Sequence, residues 1–246
     1  MQHLRFLALY GWLEPFDLAK HPEALVRLVE DARITPTKVT VAIPGEKKSR
    51  RRTIYKRSRL IDVIAPFTSY DWIALDEPIE GDFRDVRSHL SFQLDCQRYL
   101  LAKEFSAFTL ADVVSHLRLV CEFATPRYGF LHSEYGLAAL AFPWGTPTTG
   151  LPAHVSRRVG DLGHSIRSSH EHLNGKLHDV YEVNVLSPLH LERQVRGLSL
   201  RDWIGEGGRG DILTIKSDLF AWIVPGDFRP KVRAILFDDG ALIATV

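Results

Sequence analysis

Strand-patterned and helix-patterned segments do not alternate along this 246-residue chain, and their order restricts its architecture more than any other feature. It opens β-α. "LRFLALYGWL" (4–13) is aromatic and β-prone, and "HPEALVRLVEDARI" (21–34) sets Leu25, Leu28 and Val29 on one stripe behind a proline near its start. "KVTVAI" (38–43) then alternates as a strand, Pro44-Gly45 marks a turn, and "TIY" (53–55) offers a short return strand. "LIDVIAPF" (60–67) and "DWIALDEP" (71–78) have extended texture. Two successive helices are predicted for "DVRSHLSFQLDCQRYLLAKEF" (85–105) and "TLADVVSHLRLVCEFA" (109–124), the second capped by Thr109 ahead of Asp112.

After Pro126 the texture changes. "RYGFLH" (127–132) and "LAALAFPWG" (137–145) read as β, and a turn-rich "GTPTTGLPAH" (145–154) follows. The last hundred residues combine "DVYEVNVLS" (179–187) as a strand, "LHLERQVRGLSLRDWI" (189–204) as a helix and "EGGRGD" (206–211) as a turn. "ILTIKSDLFAWIV" (212–224) and "KVRAILFDDGALIATV" (231–246) then read as strands, the latter with a hairpin at "DDG". Such an order favours α+β over a doubly wound parallel fold: a largely antiparallel sheet with several helices packed against it. One domain over residues 1–246 accounts for the length, with a candidate subdomain boundary near residue 124.

With 45% hydrophobic and 25% charged residues, the chain can bury a substantial core. Cys96 and Cys121 lie in apolar, helix-like surroundings, which supports neither a disulfide framework nor a cysteine metal site. Glu14 and Asp17 interrupt the N-terminal apolar run, no cleavage site follows it, and no stretch approaches the roughly 18 apolar residues of a membrane span. A cytoplasmic protein without a membrane partner is the expectation.

"KKSRRRTIYKRSR" (47–59) raises the question of nucleic acid. Lys47, Lys48, Arg50, Arg51, Arg52, Lys56, Arg57 and Arg59 could neutralise phosphates while Tyr55 stacks on a base. The formal net charge of +1 weighs against a surface built for polyanions, and the run reads better as the solvated tip or flank of a hairpin. The sign then reverses: Asp71, Asp76, Glu77, Glu80, Asp82 and Asp85 face a single cation, Arg84. The two blocks can neutralise one another across a sheet, although exposed pairs contribute only about 0–1 kcal/mol each.

Catalytic and metal signatures are weak. His164, His170, His172 and His178 crowd together, but their spacing fits no established zinc pattern. "GEGGRGD" (205–211) has its predicted helix before the glycines, so it reads as a helix C-cap and loop rather than a phosphate cradle. His132, Ser133 and Glu134 alternate across a strand and form no relay by adjacency. No catalytic residue, metal ligand or cofactor site is assigned. Trp144, in a loop flanked by proline and glycine, is the aromatic most suited to an interface.

"RYGF" (127–130), "GKLHDVYEVNVLSPLHLERQVRGLSLRDWI" (175–204), the two-strand ending and the opening "LYGWLEPFDLAKHPEALVRLVEDA" (9–32) together resemble bacterial immunity proteins of polymorphic and type VI secretion toxin systems. The group they are most similar to is the immunity protein 52 family; the C-terminal half carries the likeness best and the middle region has no counterpart. The resemblance implies a cytoplasmic, non-catalytic inhibitor that binds a cognate toxin, frequently a nuclease, in fixed stoichiometry. Against a cationic nuclease groove, Asp76, Glu77, Glu80, Asp82 and Asp85 would imitate phosphates, with Trp144 as a further contact.

Overall fold

A computed structural model describes residues 3–14, 22–46, 50–53, 60–64, 71–79, 82–93, 97–135, 153–164 and 170–243. Its centre is an all-antiparallel sheet of ten strands: β1 (His3–Trp12), β2 (Lys38–Ala42), β3 (Arg50–Thr53), β4 (Trp72–Ile79), β5 (Asp82–Gln93), β6 (Arg98–Glu104), β7 (Pro126–Tyr135), β8 (Val183–Leu186), β11 (Asp211–Lys216) and β12 (Leu219–Ile223). They lie in the order β11-β12-β8-β7-β1-β6-β5-β4-β2-β3, so β11 and β3 form the two edges. β1 pairs with β6 on one side and β7 on the other, which places residues before and after position 124 in one hydrogen-bonded sheet. A separate two-stranded ribbon joins β9 (Gln194–Val195) to β10 (Leu198–Ser199).

Both faces of the sheet are covered. On one, Leu7, Leu9, Leu75, Leu90, Leu101 and Leu131 pack under α1 (Pro22–Asp31), α2 (Leu60–Ile64) and α3 (Leu110–Phe123). On the other, Phe6, Tyr10, Tyr128, Phe130 and Trp222 pack against residues of α4 (Ala153–His164), α5 (Pro188–Leu191), α6 (Leu200–Gly205) and α7 (Arg229–Asp238). Central strands therefore bury successive residues, as from Phe6 to Trp12 in β1, where a half-solvated antiparallel sheet would alternate. Gly129 allows β7 to approach β1: a Cβ there would lie 2.5 Å from the Ala8 carbonyl oxygen.

The α+β expectation holds, as do the opening β-α unit and the cap of α3. Thr109 Oγ1 accepts from the Asp112 backbone N–H, and the Asp112 carboxylate returns a bond to the Thr109 backbone. Four local expectations need correction. Residues 85–93 and 98–104 belong to strands β5 and β6 instead of a helix, and 60–64 form helix α2 instead of a strand. The segment 189–204 is divided among α5, the β9–β10 ribbon and α6. Residues 229–238 are helix α7, entered through Pro230 and ended where Gly240 takes a φ of 65°. The return strand of the first hairpin begins at Arg50 and is described to Thr53, so three arginines stand on the flank of the hairpin, in an edge strand; Ile54 and Tyr55 lie outside the described residues. Charged side chains suit such an edge because they discourage pairing with another chain.

Candidate functional site

The acidic segment belongs to the β4–β5 hairpin. Asp76 faces His89 across the ladder and Ile79 faces Asp82, with a register shift at Glu77–Pro78. The Asp76 carboxylate accepts from His89 Nδ1 at 2.6 Å, and His89 Nε2 lies 2.8 Å from Ser91 Oγ. Residues 89 and 91 share a face of β5. Asp-His-Ser order resembles a nucleophilic relay, but Ser91 is completely buried, so its hydroxyl meets no substrate in this arrangement. Glu77 accepts from Ser88 Oγ at 2.8 Å and from the Thr35 backbone N–H at 3.3 Å, and Arg87 stands 3.8 Å away. Asp76 and Glu77 thus brace β4 against β5 and the segment entering β2.

For Asp82 and Asp85 the strand position alone is described, and Glu80 and Trp144 lie outside the described residues. Of the basic run, Arg50–Arg52 fall within β3; β2 separates them from β4, and Lys38 is the residue opposite Asp76. Arg50 pairs with Glu46 at 2.5 Å. Within the histidine cluster, His172 and His178 are buried and His170 is exposed. Among the described residues no three His, Cys, Asp or Glu side chains converge to hold a metal ion.

A second histidine relay joins three elements. Asp31, closing α1, accepts from His116 Nδ1 of α3 at 2.6 Å, and the Tyr99 hydroxyl of β6 hydrogen-bonds His116 Nε2. Burial holds the His116 imidazole below its ordinary pKa, while the Asp31 carboxylate pulls it the other way. Burial, followed by the same carboxylate, pushes the Tyr99 phenol well up.

Asp31 also borders a groove of about 800 Å³. One wall is α3 with the end of α1, and the other is the β11–β12 edge of the sheet. Leu110, Val114, Leu119, Leu213 and Ile223 line it and are all half-buried; Arg118 and Glu122 stand at its margin. Two of its three charged side chains already have partners: Asp31 accepts the hydrogen bond from His116, and Glu122 pairs with Arg27 at 2.7 Å. Arg118 is exposed and has no hydrogen-bond or ion-pair partner among the described residues.

The sequence offered one signal for this groove. The inner face of α3 buries Val113, His116, Leu117, Val120 and Cys121, yet Leu110 and Val114 form a second apolar row that continues to Arg118 at the same four-residue step. Leu110 packs partly against the core cluster, whereas Val114 on the same row lies outside it and stays half-buried. In comparisons with protein-family models, curated proteins and solved structures, nothing matches this chain.

Proposed function

We propose that the chain is an immunity protein that binds a cognate secreted bacterial toxin in fixed stoichiometry and neutralises it by occupying part of its surface. The observation that carries this reading is the α3 groove. It has an apolar floor, a charged margin and walls on two sides, a shape suited to a segment of another polypeptide. The reactive pairs of the described interior point the same way. Ser91 and Tyr99, each held by a histidine, serve packing and sheet geometry because neither reaches solvent. The sequence resemblance to immunity proteins of type VI and other polymorphic toxin systems adds the class of partner.

Co-expression tests the reading. The toxin gene encoded beside that of this chain is expressed with and without it, and growth, toxin activity and co-elution are measured. Restored growth and a complex of constant stoichiometry are the expected results. A gene neighbour that encodes no secreted toxin, or a toxin left fully active by excess chain, rejects it.

A further inference from the structure

We infer that the toxin docks in the groove between α3 and the β11–β12 edge, and that the segment it inserts is apolar and carries a carboxylate paired with Arg118. The inference rests on the immunity reading and assigns its surface.

Charge selects the occupant. The acids at the groove already have internal partners, Asp31 accepting a hydrogen bond from His116 and Glu122 pairing with Arg27, whereas Arg118 on the same margin has no partner among the described residues. The charged group left with free donors is thus a guanidinium, and a carboxylate on the partner completes it with charge-assisted hydrogen bonds. Apolar burial selects the rest of the segment. Leu110 and Val114 stand on one helical row of α3, with Leu213 and Ile223 opposite them on the end of the sheet, and all four retain surface that a partner would remove from water.

Other surfaces carry less. The opposite edge, β3, is arginine-rich in sequence, and charged residues on an edge strand discourage strand addition. The opening beside α6, at about 160 Å³, is too small for a polypeptide segment. Asp76 and Glu77 on the acidic hairpin already have internal partners.

The test measures the affinity of the full chain for the purified, catalytically inactivated toxin by titration calorimetry, using three variants. Arg118→Glu is an exposed change that leaves the fold intact, and it is expected to weaken binding at least tenfold. Ala111→Trp, also exposed and lining the groove, fills the space and is expected to do the same. Lys231→Glu on α7, remote in the fold, is expected to stay within twofold. A toxin carboxylate whose replacement by Arg restores binding to Arg118→Glu identifies the paired residue. Equal affinity of wild type, Arg118→Glu and Ala111→Trp overturns the groove while leaving the immunity reading intact. Failure of the wild-type chain to bind overturns both.

Discussion

Lowering the pH from 8 to 5 should remove about 4 kcal/mol of folding stability through two histidines buried in the face of the sheet opposite α3. His172 and His190 are 2% and 0% exposed. Burial, with the neighbouring His170, His190 and Arg98 acting in the same direction, depresses the His172 pKa to about 3. Burial depresses His190 to about 4, reinforced by Arg193 and opposed by its hydrogen bond to the His172 carbonyl oxygen. Tyr10 and Tyr128 complete the surroundings of His172 as ring contacts. In the unfolded chain both histidines titrate near 6.5, so between that value and the folded one the unfolded state binds more protons. Stability is accordingly complete above about pH 6.5 and falls as the pH drops towards 4 and then 3. At pH 5 each ring lies 1.5 pH units below its unfolded value, which converts to about 2 kcal/mol apiece. Urea unfolding at the two pH values, followed by the fluorescence of buried Trp203 and Trp222, measures the loss. His172→Phe keeps the ring contacts with Tyr10 and Tyr128 and removes one titrating group, so its loss should be about 2 kcal/mol smaller than that of wild type. His116 and His190 are present in both proteins, which leaves the difference to His172. A wild-type loss below about 1 kcal/mol, or a His172→Phe loss as large as wild type, refutes the reasoning.

Three further outcomes follow from packing and capping. Gly129→Ala should destabilise the fold by about 3 kcal/mol, because its Cβ would meet Ala8 O at 2.5 Å and Leu9 Cδ2 at 2.6 Å in the centre of the sheet; thermal unfolding reads it directly. Tyr99→Phe leaves His116 Nε2 buried without its phenolic donor and should cost about 1–3 kcal/mol by urea unfolding. Thr109→Ala removes the cap of α3 and should cost about 1 kcal/mol, visible as a lower urea midpoint at unchanged slope.

The fold class was legible in the sequence because it depends on the order of elements more than on their boundaries. The misreading of β5 and β6 as a helix has a physical origin: with helices on both faces, the sheet loses the period-2 signal that separates strand from helix. In β6, Tyr99, Leu100, Leu101 and Ala102 are all buried, two against each face. In β5, Val86 and Leu90 stand four apart, as on a helix stripe. The register shift opposite them at Glu77–Pro78 instead sends Val86 to one side of the sheet and Leu90 to the other. Helix α7 was missed for the opposite reason: "VRAILF" mimics alternation, whereas Val232 and Leu236 bury one helical turn apart. Pro230 before them and Gly240 after them were the better signal.

The candidate site was less legible because charge density along a chain differs from unmet charge on a surface. Asp76 and Glu77 belong to the most acidic segment of the sequence, yet the ladder puts His89 opposite one and Ser88 opposite the other, so their carboxylates are committed to the sheet. Arg118 sits in an ordinary helix with acids within reach of the same groove, and those acids are drawn away by His116 and Arg27. These pairings join residues 85 and 95 positions apart, a separation that no local pattern encodes. What the sequence did hold was the second apolar row of α3. The row borders the buried face, and its Val114 is apolar yet left half-buried outside the core cluster, a position that calls for another surface. That local signal and the distant pairings converge on one place, and only the fold brings them together.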